Sequence, residues 1–122
     1  MQCDLHHAHL FATDLNESIR FYREMFGAEL VFNKVVAGAR NVLLRVGTAC
    51  INFYDQPPRD TGRGAVHHLG IRTDDLRALV AHMQARGVTF RKPITDLGRL
   101  KYVMVEAPDR VLLELFETED EQ

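Results

Sequence analysis

The chain repeats itself. Leu5-His6-His7-Ala8-His9-Leu10-Phe11-Ala12-Thr13-Asp14-Leu15 returns as Val66-His67-His68-Leu69-Gly70-Ile71-Arg72-Thr73-Asp74-Asp75-Leu76. The offset between the His-His pairs is 68 − 7 = 61, half of the 122 residues. Each half is a supersecondary unit of about 60 residues, which buries too little apolar surface alone and requires its twin. The duplication restricts the chain to folds built from two like modules.

The continuations of the two copies also match in kind. After Asp14 an apolar stripe runs Leu15, Ile19, Tyr22, Phe26 and stops at Gly27; after Asp75 it runs Leu76, Leu79, Val80, Met83 and stops at Gly87. Both read as amphipathic helices with an Asp N-cap and a Gly C-cap. Glu17, three residues after Asp14, adds a variant of the capping box. Strand-like runs come next: Glu29 to Val36, Asn41 to Val46 and Ala49 to Tyr54 in the first half, and Val88 to Lys92, Leu100 to Glu106 and Val111 to Phe116 in the second. Gly38, Gly47, Gly98 and Pro108-Asp109 supply turns. The order is therefore βαβββ twice, an α+β fold. Module 1 covers about 4–54, a Pro- and Gly-containing linker 55–64, module 2 about 65–117 and an acidic, frayed tail 118–122, all in one domain over 1–122. The expected architecture is two mixed sheets cupped around a cleft, with helices on the outer face.

Composition narrows the class. Fifteen Lys and Arg against seventeen Asp and Glu give a net charge of −2, and the isoelectric point is near 6.3. That is no footprint for nucleic acid or a membrane surface. No apolar run approaches the roughly 20 residues of a bilayer span, and no signal peptide is visible. Cys3 and Cys50 make neither a disulfide framework nor a zinc-finger spacing, so two free thiols in a reducing cytoplasm are expected.

Side chains alternate along a strand. If the aliphatic sets pack under the helices, then His7, His9 and Phe11 share the other face of the first strand, and His68, Gly70 and Arg72 that of the fifth. His6 and His67 then fall on the helix side or at a strand edge. By the same rule Asn41, Leu43 and Arg45, then Cys50, Asn52 and Tyr54, then Tyr102, Met104 and Glu106, and finally Leu112, Glu114 and Phe116 face the cleft. Glu114 interrupts an otherwise apolar strand, Val111 to Phe116. A carboxylate there is costly unless paired, hydrogen-bonded, metal-bound or turned to water. Two imidazoles, His7 and His68, projected to the same cleft as Glu114 are the donor set of a divalent-metal site with positions left open.

These residues resemble the vicinal oxygen chelate superfamily, the family of glyoxalase I, methylmalonyl-CoA epimerase, fosfomycin-resistance transferases, extradiol dioxygenases and bleomycin-resistance proteins. The resemblance spans about residues 4 to 117. It implies paired βαβββ modules around a metal, with ligands on the first and last strands of each. Those positions are His7 and His68, and Asn52 and Glu114. Glyoxalase I carries Glu where Asn52 stands, so this set lies nearer to the fosfomycin enzymes, the epimerases and the dioxygenases. Met104 and Arg110 depart from the dioxygenase signature of Tyr before, and Gly after, the Pro turn.

The resemblance implies a divalent-metal-dependent lyase or isomerase of the glyoxalase (lactoylglutathione lyase) type. Its ion (Fe, Mn, Ni, Zn or Co) would chelate two neighbouring substrate oxygens and stabilise an enediolate or alkoxide. His7, His68 and Glu114 are the expected ligands; Glu114, Asn52 and His9 the catalytic groups, with Glu106 a further base. Arg45 and Arg72 would hold an anionic group, and Phe11, Tyr54, Tyr102 and Met104 would wall the site. The substrate expected is a small molecule, a thiol adduct or an anionic metabolite. The alternatives are a fosfomycin-type thiol transferase, a dioxygenase, or a bleomycin-resistance-like binder without catalysis. A cytoplasmic homodimer completes the expectation, with modules paired within a chain or exchanged between two.

Overall fold

The structure is a computed structural model, and it describes residues 1–2, 5–36, 38–59 and 66–119. Cys3, part of the linker (60–64) and the last three residues of the tail lie outside the described residues. The chain divides into two compact units, 1–61 and 62–122.

The first unit runs β1 (His7–Phe11), α1 (Leu15–Phe26), β2 (Glu29–Val36), β3 (Ala39–Val46) and β4 (Ala49–Tyr54). Its sheet has the order β1-β4-β3-β2, with β1 parallel to β4 and the other pairs antiparallel. The parallel pair demands a long crossover, and α1 with the β2–β3 hairpin supplies it. The helix starts where the Asp14 carboxylate accepts from the Glu17 N–H at 3.1 Å. It ends at Gly27, whose φ of 68° is left-handed and whose N–H closes on Arg23. Both caps satisfy orphan backbone groups, as expected from the residues. Val42, Leu44, Ile51 and Phe53 are buried on one face of the sheet. The Tyr22 ring of α1 lies 5.4 Å from that of Phe53, so this is the face the helix covers.

The second unit repeats the plan: β5 (Leu69–Arg72), α2 (Leu76–Ala85), β6 (Thr95–Asp96), β7 (Leu100–Glu106) and β8 (Leu112–Thr118), in the order β5-β8-β7-β6. The Asp75 carboxylate accepts from the Ala78 N–H at 3.0 Å. Glu117 on β8 accepts from the Leu76 N–H at 2.9 Å, tying the helix start to the sheet, and its other oxygen lies 3.6 Å from Lys101 Nζ. Leu76, Met83, Val103, Val105, Leu113 and Leu115 form the core of this unit.

Several boundaries differ from the sequence reading. Val88 to Lys92 is not a strand; β6 is only Thr95–Asp96 and pairs with Tyr102 and Lys101. Pro93 has no N–H and restricts the residue before it, so a ladder cannot run through this stretch. The cap of α2 is Arg86, with Gly87 next to it at φ 88°. The tail is held further than expected. β8 continues to Thr118, and the Glu119 N–H donates to the Arg99 carbonyl at 2.9 Å.

The β7–β8 turn carries Asp109 and Arg110, both at φ 62°. Asp tolerates this region through local hydrogen bonding, whereas Arg has no such compensation. Arg110→Gly is expected to raise unfolding free energy by about 0.5–1 kcal/mol. A urea midpoint that falls or stays put in this variant would contradict the strain assigned to Arg110.

Candidate functional site

In the first unit the ladders pair His7 with Cys50, His9 with Asn52 and Phe11 with Tyr54 across β1 and β4. They pair Arg45 with Cys50, Leu43 with Asn52 and Asn41 with Tyr54 across β3 and β4. Residues directly opposite one another share a face. These nine therefore lie together, on the side away from Val42, Leu44, Ile51 and Phe53.

In the second unit Gly70 pairs with Glu114 and Arg72 with Phe116. Across β7 and β8, Met104 pairs with Glu114, Tyr102 with Phe116 and Glu106 with Leu112. His68 lies one residue before β5, and the alternation carried back through Leu69 places it on the same side. The two ladders are in identical register: adding 61 to His9, opposite Asn52, gives Gly70, opposite Glu114. His7 with Asn52, and His68 with Glu114, therefore occupy corresponding stations in the two units.

Both histidine pairs make the same contact. His6 Nδ1 and His7 Nδ1 are 3.0 Å apart, and His67 Nδ1 and His68 Nδ1 are 2.8 Å apart. One nitrogen donates and the other accepts, so each second histidine has its Nδ1 engaged, and its Nε2 has no partner among the described residues. His6 and His67 are exposed and precede the edge strands β1 and β5, and each is also the ring partner of the next residue. No sequence pattern gives this ring contact, because it depends on side-chain torsions.

The polar groups on these faces are poorly satisfied. The buried Oδ1 atoms of Asn41 and Asn52 have no hydrogen-bond partner among the described residues. Buried side-chain oxygens of this kind are uncommon and point to a group that completes them. Glu114 is half-buried and has no ion or hydrogen-bond partner among the described residues. Arg45 and Arg72 are exposed, and no carboxylate among the described residues holds either. The His9 ring lies 4.2 Å from that of Tyr54, Phe11 is 6.4 Å from Tyr54, and the Arg59 guanidinium stands 5.6 Å over Phe11.

The second unit also contains a cavity of about 410 Å³, within the size range of small-molecule sites. Tyr102, Met104, Glu106 and Leu112 line it on the Glu114 face, and Arg91 and Lys92 line it from the loop. It borders the part of β7 beyond the two-residue β6. Arg91 and Lys92 were not singled out from sequence, because Val88 to Lys92 reads as a strand there.

His, Asn and Glu are donors that suit a borderline divalent cation. Each unit presents two of them on one face, and the orphaned Asn52 oxygen stands at the station that Glu114 fills in the other unit. By donor chemistry the residues fit such an ion. Among the described residues no three His, Cys, Asp or Glu side chains form a ligand cluster. The structure thus brings together the two members of each half-set and leaves the three-residue set uncollected.

Desolvation, and secondarily the charge of His7, lower the pKa of His9 below 6.5. A histidine whose folded pKa is depressed binds fewer protons folded than unfolded, so stability rises with pH across the interval below 6.5. Metal-free wild type should lose more stability between pH 7.5 and 5.5 than His9→Gln does, and the His9 C2–H resonance should titrate below 6.5. Equal losses in the two proteins would refute this.

Comparison with known proteins agrees with this architecture. The chain is 25% identical to lactoylglutathione lyase of Schizosaccharomyces pombe over 91% of its own length, but it spans only 46% of that protein. The structure matches a glyoxylase/bleomycin resistance protein/dioxygenase domain from Frankia sp. EAN1pec with a TM-score of 0.82, at 18% identity, over 98% of this chain and 100% of that one. It matches the fosfomycin resistance protein FosX of Listeria monocytogenes, solved with Mn(II) and sulfate, with a TM-score of 0.77, at 18% identity, over 96% and 93%. No helix among the described residues is long and apolar enough to cross a membrane. Residues 4–115 match the profile of the Glyoxalase/Bleomycin resistance protein/Dioxygenase superfamily, and the chain belongs to that superfamily.

Proposed function

We propose that this protein is a divalent-metal-dependent enzyme of the glyoxalase type, a lyase or isomerase acting on a small substrate with two neighbouring oxygens. His7, His68 and Glu114 are the ligands in this reading, and the 122 residues act as one domain in a cytoplasmic homodimer. The observation that carries it is the shared register, which gives each unit a first-strand histidine and a last-strand oxygen donor on one face. The engaged Nδ1 atoms add to it. A ligating imidazole offers one nitrogen while its other is hydrogen-bonded, and His7 and His68 are arranged that way.

When bound, the cation supplies Lewis-acid stabilisation of negative charge developing on a substrate oxygen. The remaining work falls to the chain. The Asn52 amide positions the substrate or a water through its unpartnered Oδ1. Arg45 and Arg72, with Arg91 and Lys92 at the cavity, hold an anionic end such as a carboxylate. Glu106, or Glu114 when displaced from the metal, is the base that takes a proton from carbon in this reading, and His9 serves as an acid/base group. Phe11, Tyr54, Tyr102 and Met104 exclude water. A thiol adduct or an anionic metabolite is the substrate class in this reading.

Protein purified without chelator should carry stoichiometric Mn, Fe, Ni, Zn or Co by elemental analysis. His7→Ala, His68→Ala and Glu114→Ala should each lose it. Wild type that stays empty in excess metal yet binds an antibiotic or metabolite would replace the enzyme with a sequestering protein. Turnover of 2-oxoaldehyde thiol adducts, catechols or fosfomycin by the loaded protein then selects the reaction. His67→Ala should still fill with Mn(II) at saturation but bind it about 10–100-fold more weakly, the usual effect of losing a ligand's hydrogen-bond partner; an unchanged Mn(II) titration would show that the His67 contact is idle.

A further inference from the structure

The two units differ at one pair of corresponding positions. In the first, His9 on β1 lies with its ring 4.2 Å from the ring of Tyr54 on β4. In the second, the corresponding residues are Gly70 on β5 and Phe116 on β8, since Gly70 pairs with Glu114 and Phe116 lies two residues further on the same face. Gly70 is exposed and lies within a strand, where glycine is unfavourable by roughly 0.5–1 kcal/mol relative to alanine. Neither usual reason for a strand glycine applies. Its φ is not among the positive values of the chain. A Cβ built on it would meet only Phe116 Cε1, at 3.4 Å, which is ordinary contact, and no backbone within 4 Å. Neither the backbone conformation nor the packing explains why the position carries no side chain.

We propose that Gly70 determines substrate specificity: its missing side chain leaves the Phe116 ring face open beside Glu114, as a slot for a planar aromatic or conjugated group of the ligand. The inference rests on the metal-dependent reading, because the slot borders a proposed ligand. Position decides the chemistry it takes. Glu114 pairs with Gly70 on one side and with Met104 on the other, so a ligand held at Glu114 that extends toward β5 passes over the glycine and onto Phe116. A flat π-system gains both area and ring contact there, as the tilted His9 ring does at 4.2 Å from Tyr54. A saturated, branched group gains less from a ring face. Arg72, paired with Phe116, borders the same slot and adds a cation to its rim.

Two hydroxamates test this with Mn(II)-loaded protein. Acetohydroxamate and benzohydroxamate present the same vicinal oxygens and differ in the ring. Wild type should bind benzohydroxamate about tenfold more tightly, the scale of one well-placed aromatic contact. Gly70→His rebuilds the arrangement of the first unit and should bring the ratio of the two dissociation constants below about two. Gly70→Ala should give an intermediate ratio. Phe116→Leu removes the ring while keeping the position apolar, and it should also collapse the ratio, which covers the case in which Gly70→His does not fold. Mn(II) content is measured on every variant. Protein that takes up Mn(II) but shows no ring preference, or keeps its preference in Gly70→His or in Phe116→Leu, overturns the slot and leaves the metal reading standing. Wild type that takes up no Mn(II) overturns both.

Discussion

The parallel pairing of the first and last strand within each unit is the constraint on which the candidate site depends. It brings together residues far apart in the chain: 52 − 7 = 45 positions separate His7 from Asn52, and 114 − 68 = 46 separate His68 from Glu114. Only a crossover connection permits such a pair, and a helix leading into a hairpin provides it in both units. What sets the register is burial. Ile51 and Phe53 on β4, and Leu113 and Leu115 on β8, are almost fully inaccessible. A slip of one residue would expose them and turn the polar set into the core. The placement of the donors is therefore a by-product of hydrophobic alternation.

Within that shared frame the two faces have become unlike. Asn52 corresponds to Glu114, His9 to Gly70, and Tyr54 to Phe116. β2 spans eight residues and β6 only two. The first unit sets the His9 ring against Tyr54 and buries two amide oxygens. The second leaves a carboxylate half-buried, carries no side chain at Gly70 beside Phe116, and has a cavity along β7.

The duplication, both helix starts and the faces of β1, β3, β4, β5, β7 and β8 were legible in the residues themselves. Repeats need only self-comparison, Asp caps act within three residues, and a period of two assigns faces without knowledge of the partner strand. What escaped was set by less local causes. Val88 to Lys92 alternates like a strand, yet it forms none ahead of Pro93, and Arg91 and Lys92 line the cavity instead. The roles of His6 and His67 depend on side-chain rotation, to which alternation is blind. The meaning of Gly70 required its neighbour: glycine in a strand is ambiguous until the space above it and the backbone angle are known.

Stability and chemistry are kept on opposite sides of each sheet. The helix-covered faces hold Val42, Leu44, Ile51, Phe53, Val103, Val105, Leu113 and Leu115 in their buried parts, and the polar Glu117 there is taken up by the Leu76 N–H and Lys101. The other faces concentrate amide oxygens, the carboxylates of Glu106 and Glu114, and arginines; among the described residues the amide oxygens, Glu114, Arg45 and Arg72 have no polar partner. Each such group is a net cost to folding unless something completes it. Because the buried aliphatic layer alone dictates register, the polar layer is free to change residue by residue without shifting a strand. Asn52 against Glu114 and His9 against Gly70 are such changes. This separation explains how one frame accommodates different chemistries, and why the choice among them rests on a few side chains of β1, β4, β5 and β8.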